Sequence, residues 1–240
     1  MLDLVAAMEA CTVREAALRL RAFQVSGPAS QPGQRQLVTK KRTVNSPLGF
    51  SLTLDRRHFY LARRGIDAAT ADWFEVGYYG GGGLMSGRIA IPIHDERGRL
   101  VAYCGRAIEG DAAPRYRFPA GFQKSHVLFN YHRALETSSN RLIVVEGFFD
   151  CMKLHQHGCR KVVALMGSTM SAAQEELIRK HTDRKSLVIV MLDEDHAGKA
   201  GRDDIASRLA KFVFVKVHTF EKDGMQPEDL SAEEALALLA

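Results

Sequence analysis

The chain has 240 residues, enough to bury a proper core as one large domain or two small ones. With 46% hydrophobic and 25% charged residues it has the composition of a folded globular protein. No apolar run approaches the roughly 18 residues of a membrane span, and no secretory signal opens the chain, so we expect a cytoplasmic protein. The four cysteines form no CxxC pair, which predicts reduced thiols and no structural zinc.

The net charge of +5 conceals an asymmetry between the two parts of the chain. Residues 1–140 carry 19 Lys and Arg against 12 Asp and Glu, whereas residues 141–240 carry 14 against 16. A basic part beside a part with focused acids is typical of a protein that holds a polyanion and cations. The alternative, that these charges only solvate the surface, stays open on charge alone.

The first half of the chain predicts helices, a linker and a hairpin. Apolar residues at helical spacing and a Ser, Gly, Pro and Gln-rich stretch define the first two elements. Four consecutive glycines, Gly80 to Gly83, predict a loop. In chain order we expect a helix at 2–24, a linker from 26, helices at 54–63 and 66–73 with Asp67 starting the second, a loop at 78–87, hairpin strands at 88–93 and 100–104, and an extended segment at 115–119.

From residue 141 the pattern alternates between apolar runs and helical segments. The apolar runs have the length and β-branched content of strands that are buried on both faces. The crossovers are long enough for parallel βαβ units. The expected strands are 141–146, 161–165, 187–192 and 212–217, and the expected helices are 150–157, 171–181, 199–210 and 231–239.

Acidic side chains follow two of these strands. Glu146 closes the first strand, and Asp150 falls in the first turn of the next helix. Asp193 and Asp195 follow the strand that begins at 187. Because ligands bind at the carboxyl ends of such strands, we expect the acids to converge at that edge. Carboxylates gathered in this way repel one another unless a divalent cation neutralises them, and hard oxygen ligands favour Mg²⁺, or Mn²⁺.

Each acidic motif also has a simpler interpretation. Asp150 or Asp195 could be a helix cap, and Glu146 a solvated strand end. The small residues Ala197 and Gly198 would let a phosphate approach the following helix N-terminus. Two such motifs in one sheet favour the metal-binding interpretation.

The same motifs resemble the Toprim domain, which bacterial DnaG-type primases, topoisomerases and several nucleases share. The resemblance rests on Glu146 to Asp150, the Gly167-Ser168-Thr169 loop and Asp193 to Gly198. Residues 88–106 and 116–130 resemble the stretch that precedes the Toprim fold in primases, and residues 50–77 resemble the helical start of that lobe. The likeness covers about 50 to 230, and the combination is specific to primases.

This resemblance implies an α/β fold, in which a Toprim-type, mostly parallel sheet flanked by helices follows a smaller mixed α+β basic lobe. It implies a cleft for single-stranded DNA template and ribonucleoside triphosphates. The expected divisions are a helix at 1–25 that resembles the end of a primase zinc ribbon, a linker at 26–47, the basic lobe at 48–138 and the Toprim domain at 139–240.

The resemblance also assigns roles to individual residues. Glu146, Asp193 and Asp195 would be the metal carboxylates, with Asp150 in support and Glu228 as a ligand of a second cation. The side chains expected to contact nucleic acid or nucleotide are Lys124, Arg88, Arg106, Arg117 and Lys199. Lys124 is favoured because it lies near Phe118 and Phe122, and cations beside aromatics suit single strands. The paired arginines at 56–57 and 63–64 are expected to be solvated or loosely bound to phosphate.

Three features depart from the family pattern. By this resemblance we expect the 240 residues to contain neither the metal ligands of the zinc ribbon nor a helicase-docking C-terminal domain. Gln226-Pro227-Glu228 stands where family members often have Asp-Pro-Asp. Whether a replicative helicase or another replication protein is a partner therefore stays open.

The function that these expectations favour is that of a nucleotidyltransferase, a DNA primase core that makes short RNA primers on single-stranded DNA. Two alternatives stay open: a Toprim-type metal-dependent nuclease, and a truncated, non-catalytic nucleic-acid-binding remnant of a plasmid or phage primase.

Overall fold

Two four-stranded sheets organise the part of the chain that the computed structural model describes, residues 45–109 and 113–239. The helix expected at 2–24 and most of the linker expected at 26–47 lie outside these residues. No helix in the described ranges is long and apolar enough to cross a membrane.

The first sheet is antiparallel, with the order β1-β2-β3-β4. The predicted hairpin is confirmed, although its second strand is longer than expected. The predicted loop at 78–87 is wrong at its start, because Tyr78 pairs with both Ile89 and Asp55 and so belongs to a strand. The strands are β1 (Gly77–Tyr79), β2 (Arg88–His94), β3 (Leu100–Ala107) and β4 (Tyr116–Arg117).

Two short helices precede this sheet, α1 (Phe59–Arg63) and α2 (Ala68–Trp73). Asp67 caps α2 as predicted, since its side chain accepts a hydrogen bond from the Thr70 N–H at 2.7 Å. The helix predicted at 54–63 is five residues shorter than expected. The bridge between Asp55 and Tyr78 holds the preceding segment extended, and α1 begins only after His58.

The second sheet is parallel throughout, with the order β6-β5-β7-β8. This confirms the predicted α/β class, with every strand boundary within two residues of its prediction. The strands are β5 (Arg141–Val145), β6 (Val162–Ala164), β7 (Leu187–Met191) and β8 (Phe214–Val217); the helices are α3 (Tyr131–Leu135), α4 (Phe148–Gln156), α5 (Ala172–Lys180), α6 (His196–Leu209) and α7 (Ala232–Ala237).

Both faces of this parallel sheet are buried. Ile143 and Ile189 face one apolar cluster, whereas Val144 and Val190 face another on the opposite side. The first cluster also contains Ile91 of the antiparallel sheet, so the two sheets share one continuous core. Burying each such side chain stabilises the fold by about 1.5–3 kcal/mol. The shared core holds the carboxyl ends of β5 and β7 against the part of the chain that contains α1, α2 and the antiparallel sheet, here called the antiparallel lobe.

Helix α6 packs on the loop that follows β6 through a glycine. A Cβ atom at Gly201 would lie 1.9 Å from the Ser168 backbone oxygen. No side-chain rotation relieves such an overlap, because the obstacle is backbone. The absence of a side chain at Gly201 therefore sets how closely this helix approaches the loop.

We expect Gly201→Ala to destabilise the protein by about 1–3 kcal/mol, because the overlap outweighs the gain of about 1 kcal/mol in helix propensity. Urea denaturation measures this change. Gly82→Ala is the matched control, since a Cβ atom there meets nothing within 4 Å, and we expect its free energy of unfolding to change by less than about 1 kcal/mol. Equal stability of the two variants would contradict the packing argument.

Candidate active site

The acidic side chains meet where two neighbouring parallel strands end. Val145 pairs with Met191, so β5 and β7 finish side by side. Glu146 is the first residue after β5, and Asp193 is the second after β7. The sequence therefore predicts the convergence correctly for this pair. The full set of side chains that line the cavity at this edge is Arg64, Arg106, Arg115, Tyr116, Glu146, Gly147, Phe149, Asp150, Asp193, Gln226 and Glu228.

Asp150 lines this cavity and is only 5% exposed. One carboxylate oxygen accepts a hydrogen bond from the Gly147 N–H at 2.9 Å, and the other accepts one from the Glu228 N–H at 3.2 Å. Burial, with Asp193 and Glu228 nearby, raises the pKa of Asp150 to about 8. Asp150 thus closes the first turn of α4, and it also ties that helix to the segment carrying Glu228.

Asp195 acts as the N-cap of α6, because its Oδ1 accepts a hydrogen bond from the Gly198 N–H at 2.7 Å. The simpler interpretation of this residue is therefore correct for one of its oxygens. Its negative charge still reaches the cavity, where it contributes to the raised pKa values of Glu146 and Asp193.

The pKa values of Glu146 and Asp193 are both raised in this site. Burial first, and then Asp193 and Asp195, raise the pKa of Glu146 to about 7. Burial, Asp195 and Glu228 raise the pKa of Asp193 to about 6, against the opposing charge of Arg115. The Oδ1 atom of Asp193 is buried without a hydrogen-bond partner among the described residues. An unpartnered buried carboxylate oxygen is unfavourable, and a bound cation would relieve it.

The carboxylate oxygens of the site suit a hard divalent cation, although their side chains are not yet close enough together to coordinate one ion in the described residues. Within residues 45–109 and 113–239, no three His, Cys, Asp or Glu side chains stand in position to hold an ion together. The candidates are carboxylates, the oxygen ligands that Mg²⁺ prefers. The pKa values of three of them are raised in part by the negative charge of neighbouring carboxylates, and a bound cation would lower these values. By this test the residues fit the ion.

Glu228 lies in the same cavity but already has a partner. Both of its carboxylate oxygens accept hydrogen bonds from Nη2 of Arg64, at 2.5 and 2.6 Å. Arg64 also lies over the ring of Phe149, 4.7 Å from its centroid. This pair joins the end of α1 to the last part of the chain across the mouth of the site.

Lys124 and Arg106 both lie beside the acids, as the sequence predicts. The Lys124 ammonium donates to the Met166 carbonyl at 2.7 Å and lies 5.9 Å from the centre of the Phe118 ring. Its charge lowers the pKa of Glu146, against the larger effect of burial. Arg106 lines the cavity and donates to the Tyr116 hydroxyl at 2.6 Å, while its Nε is buried without a partner in the described residues.

The other three predicted basic residues lie elsewhere. Arg88 is 7% exposed and donates to the carbonyls of Gly105 and Pro114. It shares a second cavity on the antiparallel lobe with Arg117. Lys199 is paired with Asp223 at 2.7 Å and with Glu194 at 3.4 Å. The structure therefore brings Arg88 and Arg117 together but not with the acids.

Sequence reasoning missed Arg64 and Arg115 as members of the site. The sequence predicts that Arg64 is solvated or loosely bound to phosphate, whereas in the structure it is paired with Glu228 and lines the cavity. No local signal distinguishes it from Arg63 in the sequence. Arg115 could have been found, since it directly precedes Tyr116, which already belonged to the primase-like stretch.

Two family profiles match the chain in this order. The N-terminal domain of the DNA primase catalytic core matches residues 82–135, and the Toprim domain matches residues 140–219. Together they cover more than half of the chain.

The chain carries the N-terminal and Toprim domains of a DnaG-type primase catalytic core.

Curated relatives are DNA primases. The chain is 40% identical to the DNA primase of Legionella pneumophila over 117 residues, which is 47% of this chain and 20% of that protein. It is 34% identical to the DNA primase of Aquifex aeolicus over 156 residues, 62% of this chain and 30% of that protein. The chain thus spans about a fifth to a third of the length of these primases.

Solved primase structures have the same fold. The zinc-binding and RNA polymerase domains of the Aquifex aeolicus primase match with a TM-score of 0.67 and 24% identity, over 99% of this chain and 68% of that one. The RNA polymerase domain of the Mycobacterium tuberculosis primase matches with a TM-score of 0.61 and 25% identity, over 77% and 74%. A DnaG primase catalytic domain bound to single-stranded DNA matches with a TM-score of 0.64 and 24% identity, over 77% and 69%.

The raised pKa values predict how the stability of this primase core depends on pH. In the folded state Glu146, Asp150 and Asp193 hold protons at pH values where the unfolded chain, with pKa values of about 4, has released them. Their stabilising contribution is therefore complete below about pH 4 and is lost as the pH rises through the folded pKa values of about 6, 7 and 8.

Urea denaturation in EDTA at pH 5 and pH 8 measures this loss. We expect Asp193→Asn to lose less stability than the wild type between these pH values, by at least about 1 kcal/mol. Asp203→Asn, which removes an exposed carboxylate of α6, should behave like the wild type. An equal loss in the wild type and in Asp193→Asn would show that the repulsion at the site is unimportant.

Proposed function

We propose that the chain is the catalytic core of a DNA primase, a nucleotidyltransferase that makes short RNA primers on single-stranded DNA with the help of a divalent cation, Mg²⁺ or Mn²⁺. The observation that supports this most strongly is the single cavity that joins the acids of the Toprim sheet to the arginines of the antiparallel lobe. Acids that hold cations and arginines that hold phosphates are the groups that phosphoryl transfer requires.

In this proposal Glu146, Asp193 and Asp195 hold the cation, with Asp150 in support and Glu228 beside a second one. The cation would neutralise the phosphate oxygens and stabilise the charge that develops at the α-phosphorus. The carboxylates themselves must be ionised to bind it. Their raised pKa values therefore predict weaker metal binding at low pH.

Lys124 and Arg106 would orient the nucleotide or the growing strand. Lys124 is held by the Met166 carbonyl and lies close to Glu146, so its cation can receive a phosphate without leaving the site. The guanidinium of Arg106 lies over the rings of both Tyr116 and Phe149, 4.8 and 5.4 Å from their centres. This packing restricts its guanidinium, and a positioned group loses less entropy on binding than a mobile one.

Arg88 and Arg117 would contact the template away from the reacting atoms. They share a cavity on the antiparallel lobe with Tyr78, and an aromatic ring beside cations suits an unpaired strand. Lys199 would contribute less positive charge to nucleotide binding, since Asp223 and Glu194 already neutralise it. The proposed template-binding lobe comprises residues 48–138 and the proposed metal-binding domain residues 139–240.

Primer synthesis by purified chain on a single-stranded template tests the proposal directly. We expect Asp193→Asn to lower the rate at least about 100-fold, the scale of losing one charge-stabilising group. Titration calorimetry should show that the same variant binds Mg²⁺ more weakly. The control Asp203→Asn removes the same charge from an exposed position outside the cavity, and it should retain the wild-type rate.

The same assay separates the proposal from its rivals. Labelled single-stranded DNA supplied with Mg²⁺ but no nucleotides should remain uncut, whereas a Toprim nuclease would cleave it. Template binding without any Mg²⁺-dependent incorporation by the wild type would instead identify a non-catalytic remnant. Full activity of Asp193→Asn would refute the assignment of the metal carboxylates.

A further inference from the structure

The amino ends of the strands in the parallel sheet are basic, whereas the carboxyl ends carry the acids. Each strand begins at or shortly after a cation: Arg141 opens β5, Lys161 precedes β6, Lys185 precedes β7 and Lys211 precedes β8. Arg141, Leu187 and Phe214 lie side by side across three strands. The sheet therefore separates the two kinds of charge by the length of a strand, about 17 Å.

Phe214 is exposed at this basic edge. Its side chain is 68% exposed although it begins a strand. It lines a surface cavity together with Arg184 and Lys211. An exposed aromatic ring between two cations differs from the rest of β8, where Val215 packs against the core.

Positive charge predominates around Phe214. Arg184, Lys185 and Lys211 are exposed and form no ion pair within the described residues. The acid next to them in the chain, Asp183, accepts hydrogen bonds at Oδ1 from the Ser186 hydroxyl and the Lys185 N–H, at 2.8 and 2.9 Å, and its one negative charge offsets part of theirs. The edge therefore presents positive charge to solvent.

We infer that Phe214, Arg184 and Lys211 form a second binding surface for single-stranded nucleic acid, remote from the acidic cavity. The ring provides a stacking face for a base, and the two cations bind the phosphates on either side of it. Lys216 extends the surface, because it alternates with Val215 and so lies on the same face of β8 as Phe214.

A strand that reaches this surface would cross the Toprim lobe from one edge of the sheet to the other. Only the nature of the ligand rests on the proposed primase function. The basic edge would hold template or product that has passed the acidic cavity, and so would slow dissociation of the strand during synthesis. The binding itself requires neither a metal ion nor nucleotides.

Fluorescence anisotropy with labelled dT25, in EDTA and without nucleotides, tests the inference on the full chain. We expect Phe214→Leu to weaken binding at least about 5-fold, because it keeps an apolar side chain but removes the stacking face, and Phe214→Trp to bind at least as well as the wild type. Both changes are at an exposed position, so thermal denaturation should show that the variants remain folded.

The charges are tested by a matched pair of double variants. Arg184→Gln with Lys211→Gln should lower the slope of log affinity against log salt by about 1.4, the value for two lost phosphate contacts on a single strand. Arg184→Lys with Lys211→Arg keeps both charges and should keep the slope. Wild-type affinity and slope in the Leu and Gln variants would overturn the inference.

Two other outcomes are equally decisive. If poly(L-glutamate) binds at this edge and dT25 binding is unchanged in the variants, the surface takes acidic protein segments and the inference is wrong. If the chain makes no primers but Phe214 and the two cations govern dT25 binding, the surface stands while the proposed activity fails.

Discussion

The site depends on keeping two half-buried carboxylates close together at the ends of β5 and β7. Parallel pairing brings Glu146 and Asp193 to the same edge, and their partial burial, together with the neighbouring acids, disfavours the charged forms. The fold accepts this because the core beneath the edge is large: every residue of both strands beyond the first is buried. The stability of the sheet thus maintains an arrangement that is unfavourable by itself, and a cation is the simplest way to relieve it.

The antiparallel lobe is held in place by contacts that begin within the Toprim motif itself. Phe148 and Phe149, between Glu146 and Asp150, pack against rings of the other lobe. Phe148 lies 5.6 Å from the Tyr116 ring, and Phe149 lies 6.4 Å from the Tyr60 ring. Arg64 and Arg106 both lie over Phe149. The residues that separate the two acids in sequence therefore determine where the arginines lie.

The sequence predicts the parallel sheet well because its information is local. Apolar β-branched runs and a capping residue such as Asp195 specify strands and helices without knowledge of distant contacts. It predicts poorly what depends on tertiary pairing: Tyr78 becomes a strand residue through Asp55 and Ile89. Arg64 enters the site through Glu228, 164 residues away, and through the ring of Phe149. The resemblance to primases identified Arg106 and Lys124 beside the acids, but it could not show that Lys199 is neutralised by Asp223.

The direction of the strands explains how charge is distributed over the Toprim lobe. In a parallel sheet all strands begin at one edge and end at the other. The residues that precede the strands and those that follow them therefore lie at opposite edges. Here Glu146 and Asp193 follow the carboxyl ends of their strands, whereas Lys161, Lys185 and Lys211 precede the amino ends of theirs. The lobe has nearly balanced charges in total, with 14 basic and 16 acidic residues over 141–240, yet it is strongly polar along its strands. Near the acids at the carboxyl ends a polyanion meets repulsion that the neighbouring arginines offset only in part, whereas the basic edge attracts it. Cations bound at the acidic edge would remove that repulsion, so the affinity of the whole lobe for nucleic acid should depend on whether the metal site is filled.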